Sequence, residues 1–122
     1  PYGVKIVIGS LTAKQIEEDY FTLELDKLAV KGKKEGVNIY TVLCDIKDSL
    51  EYKLAQQRHE TMLQLYREMK WKDASILCHE LIGEFDGKMD AYYDMMLERI
   101  ADYEYKNKPP KGWDGTFIAI SK

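Results

Sequence analysis

The chain has 122 residues, 45% hydrophobic and 32% charged, with a formal net charge of −3. That is the make-up of one globular domain or of the end of a larger protein, and it carries no global basic field of the kind that draws nucleic acid or anionic membrane. Two cysteines, Cys44 and Cys78, do not make a disulfide framework, which points to a reducing compartment, and no apolar run approaches the roughly 20 residues of a membrane helix.

Taken in order, Tyr2-Gly3 reads as a turn, and Val4, Ile6 and Ile8 alternate as a short strand. Gly9-Ser10 ends it. Thr12-Ala13-Lys14-Gln15 fits a capping box, which predicts a short helix through Glu18. Tyr20 to Val30 and Val37 to Cys44 read as two strands. Between them lies a glycine- and lysine-rich turn containing Lys31, Gly32, Lys33, Lys34 and Gly36. Asp45 to Asp48 is a polar break.

From Ser49 the period changes from two to 3.6. Leu54, Met62, Leu65, Tyr66 and Met69 share one helical face, which Leu50 extends. Lys70 to Asp73 reads as a break. Ala74, Leu77, Cys78, Leu81 and Ile82 then give an i, i+3, i+4, i+7, i+8 stripe. After a loop from Gly83 to Lys88, a third helix is marked by Tyr92, Tyr93, Met96, Leu97, Ile100 and Tyr103. The double proline Pro109-Pro110 ends it. Trp113-Asp114-Gly115 is a turn, and Thr116 to Ile120 a last extended segment. Strands first and helices second predict an α+β fold, with a strand region over 1–46 and a helical region over 47–122. The helices read as antiparallel hairpins of a helical repeat. Only about one and a half units fit, fewer than the three or so that a free array needs. The helices are therefore expected to lean on the strand half or on a partner. The chain opens almost directly into a strand, and we expect it to be a piece of a longer protein.

The polar residues admit bland readings as well as sharp ones. Cys44, His59, Cys78 and His79 lack metal-ligand spacing, and adjacent helical residues such as Cys78 and His79 diverge by about 100°. The cysteines read as small apolar core residues. Asp86, Asp90 and Asp94 lack the calcium-loop pattern and suit a helix start. Tyr92, Tyr93, Met95 and Met96 read as core. Trp113 follows a double proline in a segment too short for its own core, and is expected to dock as an anchor on this chain or on a partner. By themselves Lys31, Lys33 and Lys34 read as a solvated turn.

Several of these residues together resemble the C-terminal end of the class III adenylate/guanylate cyclase catalytic domain. They are Tyr2-Gly3-Val4, Thr12, Phe21, Glu24-Leu25-Asp26, Val30-Lys31-Gly32-Lys33 and Val37-x-Ile39-Tyr40. Tyr66-Arg67, Trp71, Ala74, Leu81, Tyr93, Glu98-Arg99, Tyr103, Pro109-Pro110 and Trp113-Asp114-Gly115 resemble the helical extension that follows this hairpin in bacterial membrane-anchored sensor cyclases. The chain departs from the pattern at Gly36, where the family often has proline, at Thr41, where it often has glutamate, and at Gly9-Ser10. The resemblance implies a parent that converts ATP, or secondarily GTP, to the cyclic nucleotide with two Mg or Mn ions. It also implies a homodimer with active sites between catalytic domains. The metal-binding aspartates and the transition-state asparagine–arginine pair would lie upstream, outside this chain. What carries over is a lysine near the triphosphate, Lys31, with Lys33 the fallback. The expected partners are the remainder of the catalytic domain and a regulatory protein at the tail, with no nucleic acid. The expected location is the cytoplasmic face of a membrane-anchored parent. The chain alone is expected to be catalytically incomplete and prone to self-association at an open sheet edge. The alternative is a free-standing helical interaction module with no nucleotide chemistry.

Overall fold

A computed structural model describes residues 2–30, 32–33 and 35–119. Among these residues the fold is α+β, with a four-stranded sheet and four α-helices. The chain divides into two compact units, one of residues 5–51 with 115–119, the other of residues 2–4 with Tyr52–Asp114.

The sheet unit holds β1 (Ile8–Gly9), α1 (Ser10–Ile16), β2 (Tyr20–Val30), β3 (Val37–Asp45) and β4 (Thr116–Ala119), in the strand order β1-β3-β2-β4. β2 and β3 are long strands that pair antiparallel from Tyr20↔Asp45 to Leu28↔Val37. Phe21, Leu23 and Leu25 line the buried face. The register shifts between Glu24 and Asp26. Asp26 is buried at this bulge beside Leu25, while Ala29 is buried in the same odd-numbered phase as Phe21, Leu23 and Leu25, and Val30 is exposed.

The first strand is shorter than the alternation of Val4, Ile6 and Ile8 predicts. Only Ile8 and Gly9 pair, opposite Tyr40 and Ile39. Alternation makes a segment able to pair, but without a partner Ile6 and Val7 stay half exposed. The capping box is not formed: α1 begins at Ser10, so Thr12 lies inside it, and Gly9 is its cap residue with no side-chain hydrogen bond. The final segment, read from sequence as the end of the helical region, lies in the sheet unit. β4 runs parallel to β2, from Lys27↔Thr116 to Val30↔Ala119. A parallel neighbour requires a long crossover, and here residues 31–115, β3 and the helical unit among them, supply it.

The helical unit contains α2 (Lys53–Arg67), α3 (Trp71–Leu81) and α4 (Asp90–Tyr105). α3 packs against both α2 and α4. The buried face of α2 is Ala55, His59, Met62, Leu63 and Tyr66. Leu54, expected on that face, is 74% exposed. Leu50, expected to extend it, precedes α2 in a 3-10 turn (Leu50–Tyr52) and is 82% exposed. Hydropathy alone favours the leucines, but the stripe that closes on α3 and α4 uses a small alanine and a hydrogen-bonded histidine instead. The α2–α3 break also falls earlier than read. Met69 takes φ +63° in the turn, and Trp71 is already the first residue of α3 and buried. On α4 the buried residues are Tyr92, Tyr93, Met96 and Ile100, as the periodicity predicts.

Two contacts fall at the same sequence separation of 34 residues, one between the 3-10 turns that precede α2 and α4 and one between α2 and α4 themselves. The Tyr52 hydroxyl donates to Asp86 Oδ2 at 2.5 Å, and His59 Nδ1 lies 2.8 Å from the Tyr93 hydroxyl. A helical hairpin stacking on the next helix with a fixed period is the architecture of a repeat. The unit holds one hairpin, α2–α3, and the first helix, α4, of the next.

Candidate functional site

At the end of the β2–β3 hairpin, Gly32 adopts φ +91°, a conformation that favours glycine, and the Lys33 N–H donates to the Val30 carbonyl at 3.0 Å. Lys33 is exposed there, beside an open cleft of about 490 Å³ lined by Leu28, Ala29, Val30, Lys33, Glu35 and Val37. Lys31, the first choice for phosphate contact, lies outside the described residues, as does Lys34. The cleft wall is chiefly aliphatic, so Lys33 meets a ligand as a point charge beside apolar surface.

Gly36, a departure from the cyclase pattern, has a local cause. A Cβ there would stand 2.6 Å from Thr116 Oγ1 and 2.9 Å from Lys27 Cγ. The chain leaving the turn passes too close to the start of β4 for any side chain. Nearby, Asp26 is fully buried at the bulge, and its Oδ1 accepts the Lys27 N–H at 2.9 Å. Thr41 is buried opposite Leu23, and among the described residues its hydroxyl makes no hydrogen bond.

In the helical unit Trp113 joins an aromatic cluster. Its ring meets Tyr66 and Tyr103 edge-on, each with centroids 5.3 Å apart, and lies 6.0 Å from Trp71. Arg99 donates to the Tyr66 hydroxyl at 3.2 Å and stands over the Tyr2 ring at 5.9 Å. Hydropathy reading picks out Trp113 but not Arg99, whose role appears only once its neighbours are known.

His59 is fully buried, tilted at 43° against Tyr92 as well as bonded to Tyr93. Burial pushes the Tyr93 hydroxyl upward, with the nearby Cys78 thiol adding to the effect, and burial pushes the Cys78 thiol up to about 12. A thiol held protonated in this way is a poor nucleophile. Cys44 is half-buried and, among the described residues, forms no disulfide. Among the described residues no three His, Cys, Asp or Glu side chains converge.

A second cleft, about 560 Å³, lies on the helical unit between Leu54, Gln57, Arg58 and Thr61 of α2 and Leu77 of α3. Arg58 at its rim pairs with Glu84 at 3.1 Å and approaches Glu80 at 4.0 Å. Among the described residues no helix is long and apolar enough to cross a membrane. Comparison with protein-family models, with curated proteins and with solved structures gives no match to this chain.

Proposed function

We propose that this chain is the C-terminal segment of a class III nucleotide cyclase, and that it completes the catalytic sheet and carries a helical regulatory extension. The observation that carries the reading is the hairpin. Two strands of 11 and 9 residues present Gly32 and Lys33 at a glycine-built turn, within the Val30-Lys31-Gly32-Lys33 pattern of that family. An ammonium group held at such a strand end neutralises developing phosphate charge without a proton transfer. In this reading Lys31, or Lys33 in its place, faces the triphosphate of ATP or GTP. The two Mg or Mn ions belong to aspartates upstream, and nothing in this chain is asked to hold them. The partners are the remainder of the catalytic domain and the second subunit of a homodimer, with a regulatory protein at the tail. The parent is anchored in a membrane with this segment on the cytoplasmic face.

The alternative is a protein-interaction module. It is favoured by the 34-residue spacing of the helical contacts and by the open cleft beside Leu54 and Leu77. An antibody against this chain separates the two. A native band several times larger than 14.2 kDa in the membrane fraction supports the cyclase. In that intact protein, Lys31→Ala then lowers cyclic-nucleotide formation by about 100-fold, as loss of one preorganised charge does elsewhere. A native band near 14.2 kDa removes the cyclase reading and leaves the module.

A further inference from the structure

In the turn between α3 and α4, Phe85, Asp86 and Gly87 follow one another with φ +56°, +57° and +76°. Only the last of these is a glycine. An L side chain in the left-handed region crowds its Cβ against the following carbonyl, and a bulky residue such as phenylalanine is an outlier there. Two such residues in a row persist only where their surroundings hold them. The turn closes on itself through the Gly87 N–H, which donates to the Glu84 carbonyl at 3.0 Å, and the Lys88 N–H, which donates to the Phe85 carbonyl at 3.1 Å. Bonds of that span also close right-handed turns, so they do not choose the hand.

The choice falls to Tyr52, the residue just before α2. Phe85 is buried with its ring edge-on to Tyr52, the centroids 5.4 Å apart at 62°. The Tyr52 hydroxyl donates to Asp86 Oδ2 at 2.5 Å. Lys88 Nζ stands over the same ring, 5.9 Å from its centroid. One buried tyrosine thus meets Phe85, Asp86 and Lys88 together. A sign change in φ at Phe85 or Asp86 redirects those side chains and breaks the contacts. The far side of the turn is pinned separately: Asp90, the first residue of α4, accepts the Gly83 N–H on Oδ1 at 2.8 Å.

We infer that the α3–α4 turn is a strained conformational element latched by Tyr52. With Tyr52 seated, the left-handed run is held. With Tyr52 withdrawn, Phe85 and Asp86 return to negative φ, the Phe85 ring leaves its seat, and the chain entering α4 is free to change course. The two ends of the latch are the residue that precedes α2 and the turn that precedes α4, so a displacement at the start of one helix is passed to the start of the other. Strain stored beside a single holding contact is what makes such an element two-state rather than gradually deformable. The inference lies wholly within the helical unit and is independent of the cyclase reading.

Amide hydrogen exchange on the full chain tests it at Gly87 and Lys88, whose N–H groups close the turn. Tyr52→Phe keeps the ring against Phe85 and loses only the bond to Asp86. It is expected to raise exchange at both amides about tenfold, with the centres of α2, α3 and α4 as protected as in the wild type. In that background Asp86→Gly removes a side chain that no longer has the Tyr52 hydroxyl to bond, and relieves the crowding at φ +57°. It is expected to slow exchange at the two amides again, by about fivefold. Exchange in Tyr52→Phe within about threefold of wild type overturns the latch. So does an equal rise throughout α2, α3 and α4, which marks a bond that supports the whole unit and releases nothing locally. Exchange in the double variant as fast as in Tyr52→Phe, or faster, overturns the strain.

Discussion

Replacing Tyr93 with phenylalanine probes the most buried polar contact of the helical unit. His59 and Tyr93 are both fully buried, and the hydroxyl lies 2.8 Å from His59 Nδ1. The substitution removes one oxygen and leaves the ring stacked as before. What it leaves behind is a buried imidazole nitrogen that loses its hydroxyl partner, and that desolvation cost of about 2 kcal/mol decides the effect. For a chain of this size the fall in Tm is roughly 8 °C. His59→Leu in the Tyr93→Phe background replaces both partners with apolar groups. The double variant is expected to be more stable than the two single effects summed, by about 1–2 kcal/mol of coupling. Urea and thermal melts followed by circular dichroism, on the four proteins of the cycle, give the numbers. A Tyr93→Phe protein within about 0.5 kcal/mol of wild type, or a cycle with no coupling, refutes the claim that this bond is satisfied within the core.

Two further outcomes follow from burial. Met62→Ala, in the core of the helical unit, is expected to cost about 2–5 kcal/mol, whereas Leu54→Ala, at a residue 74% exposed, changes stability by less than about 0.5 kcal/mol; chemical denaturation of both checks which face of α2 is inside. Cys78 keeps its proton to about 12 in the folded chain but releases it near its ordinary value of 9.0 when unfolded, so the unfolded state binds fewer protons between these limits and stability falls as pH rises from 9.0, by about 1.4 kcal/mol per pH unit. Cys78→Ala is expected to flatten urea midpoints between pH 9 and 10 relative to wild type, and an unchanged slope would show the thiol to be accessible.

How much of this was legible in the sequence depends on how local the cause is. The β2–β3 hairpin was readable because strand alternation and a glycine-rich turn act over a few residues. The α4 stripe of Tyr92, Tyr93, Met96 and Ile100 was readable because a single helical period assigns them to one face. The lysines of the turn were visible as charge, though not as a site, since charge in a turn is ordinary. Arg99 was visible only within the family resemblance, and its contacts were not legible, because its partners Tyr2 and Tyr66 are distant in sequence.

By itself, then, the sequence determined the α+β class, the long hairpin and three helices, since propensity and periodicity are properties of neighbouring residues. Tertiary structure alone decided which of two available faces of α2 went inside. It chose Ala55 and His59 over Leu54, because close approach to α3 and α4 and a hydroxyl partner outweigh one leucine's hydropathy. It likewise decided that Val4 to Val7 would not be a strand and that Thr116–Ala119 would pair with β2. Strand pairing needs a partner, and a partner 89 positions away, as Thr116 is from Lys27, is present only after the chain has folded.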